Sequence, residues 1–213
     1  MSSQNTLLRY AVIVLILASA ILCPTSSRAT TTAPRTPQAS SDQVDGMVQS
    51  VADSFLDKTD YYWHRGDYPR IIALSRVLVE ADPYDTQAYS NAGWLMESDK
   101  QNSDAEAFYE LGCERNPGQS FMAYQLGFFY FNTLHNYRKA IGVMSKSVHD
   151  ADATDADWKL LAYSYKRSGD LKQALATFQE IKKLYPNSPN VDHNMKEIVA
   201  MIQQKQTAAK STQ

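Results

Sequence analysis

Turn-forming residues recur along this chain at a fixed interval. Pro83 and Pro117 stand 34 residues apart, and the pairs Gly66-Asp67 and Gly169-Asp170 stand 103 apart, three intervals of 34 plus one. A period of this length marks a stack of similar units, each too small to bury its own apolar face and stable only against its neighbours. The units are helical. Glycine is scarce, with eight copies, tyrosine is plentiful, with 13, and helix formers dominate the body. The spacing therefore predicts an all-α array in the body, entered and left through polar tails.

Within each interval the same kinds of residue return at the same places. Gly93, Gly127 and Ala162 are equivalent in the first half of a unit, and Ala105, Ala140 and Ala174 in the second. Small side chains on two facing helices permit an interaxial approach of about 8 Å. Bulky neighbours such as Leu126, Leu161, Tyr165 and Phe178 fill the seams. Asp67, Asn136 and Asp170 stand where second helices begin, Ser103-Asp104-Ala105-Glu106 has capping-box spacing, and Thr154 to Asp157 caps another helix. Pro83, Pro117 and Pro186 close three of the four units, and Asp150-Ala151-Asp152-Ala153 closes the third.

These residues resemble the tetratricopeptide repeat, 34 residues folded as two antiparallel helices. The best match runs from Asp155 to Pro186 through Trp158, Leu161, Ala162, Tyr165, Gly169, Ala174 and Phe178. The resemblance implies a right-handed α-solenoid of four helix pairs over residues 46–186, at about 52–83, 86–117, 120–153 and 155–186. One extra residue is expected in the turn of the third repeat, near Leu134-His135. A capping helix over 188–204 is expected to start with Ser188 as its cap and to use Met195, Ile198, Val199 and Ile202 as its apolar face. Residues 205–213 are read as a polar tail, and Val44, Met47, Val51 and Phe55 as an upstream continuation of the first helix.

The first 29 residues are read as a secretory leader. Arg9 precedes an apolar run from Tyr10 to Cys23, and Ser27-Arg28-Ala29 offers a cleavage site, with Ala18-Ser19-Ala20 a second candidate. A run of about 14 residues spans only about 21 Å, short of the roughly 30 Å hydrocarbon core, which favours cleavage over an uncleaved anchor. Residues 30–45, rich in Thr, Ser and Pro, read as a disordered spacer. The expected setting is outside the cytoplasmic membrane: periplasm, cell envelope or medium.

Chemistry is poorly represented. The formal charge of −2 gives no reason to bind nucleic acid. The four histidines never pair closely, and Asp150, Asp152, Asp155 and Asp157 lack the turn glycine and closing glutamate of a calcium loop, so neither a metal nor a cofactor is expected. No nucleophile elbow, phosphate loop or dinucleotide fingerprint occurs, so neither catalysis nor a small-molecule substrate is expected. Cys113 is read as a small apolar residue.

The expected partner is a protein or peptide. In the tetratricopeptide family the first helices line a concave groove, and carrying that register onto this chain places Trp63, Trp94, Phe121, Tyr124, Phe128, Phe131, Lys159, Tyr163 and Lys166 along it. The reading is an aromatic groove with a basic end. The alternative is that a tight superhelix, the N-terminal segment or a second copy covers the rings, as in a self-associating subunit of an envelope assembly held to the membrane by its leader.

Overall fold

A computed structural model describes residues 41–211, and every regular element among them is helical. In chain order they are α1 (Ser41–His64), α2 (Tyr68–Ala81), α3 (Thr86–Ser98), α4 (Asn102–Arg115), α5 (Ser120–Phe128, continued by a π turn at Phe129–Thr133), α6 (Tyr137–Ser147), α7 (Asp155–Ser168), α8 (Leu171–Leu184) and α9 (Val191–Ser211). Each helix packs on the next. In addition α3 touches α5 and α5 touches α7, so these first helices of successive pairs lie side by side. The expected leader, and the part of the spacer before Ser41, lie outside the described residues.

Close approach of the helices rests on glycine. A methyl group at Gly93 would lie 2.4 Å from the Tyr109 ring, at Gly112 2.5 Å from the tip of Met122, and at Gly127 2.5 Å from the Met144 sulfur. Ala105, Ala140 and Ala174 are fully buried opposite these places, and Ile71 fills the corresponding place in the first pair. Between the small residues the core is aromatic, with Tyr89, Tyr109, Phe129 and Phe178 sealed from solvent. Tyr89 packs on Phe108 and Tyr109 on Phe129 at centroid distances of 5.2 and 5.5 Å. Cys113 is half-buried, and its thiol is pushed up to about 12 by burial and by the nearby Glu110 charge, so it packs rather than reacts.

Polar ties repeat at the same interval as the turns. Arg115 donates to Val79 O at 2.8 Å, Asn116 Nδ2 to Pro83 O at 3.1 Å, Tyr185 Oη to Ala153 O at 2.9 Å and Ser188 Oγ to Asp155 Oδ2 at 2.7 Å, across 36, 33, 32 and 33 residues. The third unit has no closing proline. Asp152 stands there, and its carboxylate accepts the Ser120 N–H at 3.0 and 3.1 Å, capping the helix that opens the same unit.

Several expected boundaries move. Helix α1 starts at Ser41, so residues 41–45 belong to it rather than to the spacer, and the first pair begins well before residue 52. The extra residue of the third unit is not a turn insertion. It is absorbed inside the helix as the π turn, where Leu134 N–H reaches back to Phe129 O at 3.1 Å. The four pairs then turn alike: Gly66, Lys100, His135 and Gly169 all adopt left-handed φ, between 51° and 89°. Ser103 is not a cap, because α4 already starts at Asn102 after Gln101. Asp67 makes no cap bond but pairs with Arg70 at 3.0 Å, whereas Asn136 and Asp170 accept the Lys139 and Gln173 N–H groups at 3.1 Å each.

At the C-terminal end Ser188 does not cap α9. Its hydroxyl is spent on Asp155, and the chain turns through Pro189 and left-handed Asn190 before α9 begins at Val191. The helix runs on to Ser211 through the segment read as a tail, whose Gln, Lys and Ala residues favour helix. Its buried face is Val191, Asn194 and Ile198, flanked by the part-buried Met195 and Ile202, while Val199 points to solvent.

Candidate functional site

The expected groove residues lie on α1, α3, α5 and α7. Phe121 and Phe128, one from each end of α5, are 38% and 40% exposed. Tyr124 lies between them, half-buried and stacked on Phe128 at 6.1 Å with the planes 10° apart. Burial, with the charge of Asp157 nearby, pushes the Tyr124 phenol above its ordinary range, so it remains a hydrogen-bond donor. Phe131 is half-buried and meets the edge of Tyr137 on α6 at 5.5 Å, so it belongs partly to the core. The π turn leaves Phe129 and Tyr130 on the buried side of the same helix. Tyr130 is held there by hydrogen bonds from its hydroxyl to Glu106 and Glu110 at 3.0 and 2.8 Å.

Trp63 and Trp94 form a second exposed aromatic pair. Their rings lie 6.0 Å apart with planes 32° apart, and they are 45% and 51% exposed. Tyr68, absent from the sequence-based set, meets Trp63 edge-on at 5.6 Å. Beside the tryptophans a cleft of ≈ 380 Å³ opens between α1 and α3, with Ile71 and Leu95 at its apolar wall and Thr59, Asp60 and Asn91 at its polar one. The signal for Tyr68 was legible, an aromatic residue directly after the Gly66-Asp67 turn. The cleft was not, because its walls come from three helices.

The basic end is not free. Lys159 pairs with Asp155 at 2.9 Å, and Lys166 pairs with Glu197 of α9 at 2.8 Å. Both acids are held below their ordinary range, Asp155 first by Lys159 and then by Ser188, and Glu197 by Lys166. Tyr163 Oη accepts a hydrogen bond from Asn194 Nδ2 at 3.2 Å, and its ring meets Phe178 at 5.5 Å. The expectation of a basic binding end is therefore corrected to a neutralised one. Three of the four aspartates around the start of α7 are committed as well: Asp152 caps α5, Asp155 holds Lys159 and Ser188, and Asp157 Oδ2 accepts from Thr154 N and Oγ1 at 2.8 and 2.7 Å.

The couplings share one spacing. Trp63 to Trp94, Tyr163 to Asn194 and Lys166 to Glu197 each join residues 31 apart. Helix α9 thus stands to α7 as α3 stands to α1, and it continues the row of first helices as well as covering the last pair.

No family model and no curated protein sequence matches the chain. Solved structures do. MamA from Desulfovibrio magneticus RS-1 superposes with a TM-score of 0.58 at 16% identity, covering 75% of this chain and 90% of that one. YrrB, described as a TPR protein with an unusual peptide-binding site, gives 0.54 at 16% identity over 70% of this chain and 76% of its own. PilF of Pseudomonas aeruginosa gives 0.58 at 16% identity over 76% and 74%. Together with the four left-handed turns and the repeating ties, these likenesses show that the chain has the fold of a tetratricopeptide-repeat α-solenoid.

Proposed function

We propose that this chain is a non-catalytic module that binds a polypeptide, holding a segment of a partner protein along the row of first helices. The observation that carries it is the exposure of Phe121 and Phe128 beside Tyr124 on α5, and of Trp63 and Trp94 on α1 and α3, while Tyr89, Tyr109, Phe129 and Phe178 are sealed in the core. Exposed rings on one face of a small protein are where an apolar anchor of a partner gains most. A peptide-binding site in YrrB, a protein of like fold, supports the same use. The leader-like residues 1–29 support an extracytoplasmic setting for the interaction.

The test is affinity capture by the full chain from an envelope fraction, wild type against Phe121→Ser/Phe128→Ser, with circular dichroism to verify the fold. Loss of specific partners in the variant is expected. Equal recovery of every partner would sink the groove reading. Wild-type protein that sediments as a stoichiometric oligomer with these rings protected would favour self-association instead.

A further inference from the structure

We propose that the tryptophan cleft between α1 and α3 receives a cationic side chain, arginine or lysine, projecting from the segment bound in the groove. The inference rests on the groove reading above for the owner of that side chain. The cleft lies beside two adjacent indole rings that remain about half exposed, and its apolar wall is Ile71 and Leu95, both buried. One charged residue lines it, Asp60. This combination is specific. A methylene stem packs on the apolar wall. A guanidinium or ammonium at its end is drawn to the indole faces, the most favourable aromatic surface for a cation, and to the carboxylate.

Other occupants fit less well. An apolar side chain would desolvate Asp60 without pairing it, and a carboxylate would face it with like charge. Two of the chain's own cations near this end are engaged elsewhere. Arg65 lies over the Tyr61 ring at 5.2 Å, and Arg70 lies over Tyr62 at 5.2 Å while paired with Asp67. The wider charge distribution agrees. The two stretches that carry the tryptophans, residues 59–64 and 91–97, hold Asp60 and Glu97 and no lysine or arginine. Glu97 is already satisfied by Tyr109 and Thr133 hydroxyls, whereas the Asp60 carboxylate is largely exposed. Its neighbour is His64, with Nδ1 3.5 Å from Oδ1.

The full chain labelled with 5-fluorotryptophan gives three ¹⁹F resonances, assigned by single Trp→Phe variants. It is titrated with Nα-acetyl-arginine methylamide and with its norleucine and glutamate counterparts. Trp63 and Trp94 are expected to shift saturably with the arginine probe, while Trp158, in the fourth pair, stays still. Norleucine is expected to bind at least about fivefold more weakly, and Asp60→Asn to weaken the arginine probe about five- to tenfold, near 1 kcal/mol. Norleucine binding as tightly as arginine, an unchanged Asp60→Asn response or no saturable shift each overturns the cleft assignment. Those outcomes leave partner capture by wild type and its loss in Phe121→Ser/Phe128→Ser untouched, so the groove reading fails only by its own test.

Discussion

Single residues set the distance between the helices. Gly93 faces the Tyr109 ring, which is buried, flat and braced by Phe129, so it has nowhere to move. Gly93→Ala is expected to cost about 1–3 kcal/mol by overpacking. Gly127 faces the flexible thioether of Met144, and Gly127→Ala should cost less, about 1 kcal/mol; urea midpoints at constant slope make the comparison. The left-handed turns provide a second pair. Lys100 holds φ of 63° where the equivalent Gly169 holds 89°. Lys100→Gly should stabilise by about 0.5 kcal/mol and Gly169→Ala destabilise by about 1 kcal/mol, again read from urea midpoints. Much of this was legible in the sequence, because Gly66, Gly169, Gly93 and Gly127 recur in register. Lys100 and His135 hid their turns, since a non-glycine residue in a left-handed turn has no local mark.

At the level of elements, α9 is held to the array by ion pairs as well as by its apolar face. Lys166–Glu197 and Lys182–Asp192 join it to α7 and α8, and Asp155 holds Ser188 at its approach. Asp155 and Glu197 have folded pKa values below their ordinary ones, about 3.9 and 4.3. Groups of this kind contribute fully above their unfolded values, and the contribution is lost as pH falls through the folded values. Below about pH 4, α9 amides should therefore lose hydrogen-exchange protection before those of α3 and α4. Glu197→Gln should lower α9 protection at pH 7 and flatten its acid dependence; an unchanged profile would assign the docking to Val191 and Ile198 alone. The helix was legible as an apolar period ending the chain, but its start was not. Ser188-Pro189 has the form of a cap, and only the fold shows that Asp155, 33 residues earlier, has claimed the hydroxyl.

Across the whole molecule, stability is a sum over adjacent pairs, so damage should spread from the ends. Removing residues 187–213 uncovers Phe178 and Ile181, which are sealed in the intact chain. The shortened protein should unfold with a lower midpoint, expose dye-binding apolar surface and self-associate, as checked by thermal scans and light scattering. The solenoid itself could be read from the spacing of Pro83, Pro117, Gly66 and Gly169, since those turns are local. The candidate site was readable as a list and not as a surface: spacing placed Trp63 and Trp94 on one face, while their contact, the cleft and the pairing of Lys166 depend on helices far apart in sequence. The π turn in α5 carries a separate consequence. An added residue shifts everything after it by roughly 100° around the helix, and Phe129–Thr133 swallow that offset before the chain reaches α6. The third unit is therefore not interchangeable with its neighbours. A chimera that transplants it intact should preserve the phase of the array, whereas one spliced inside 129–133 should present a different set of rings to the partner.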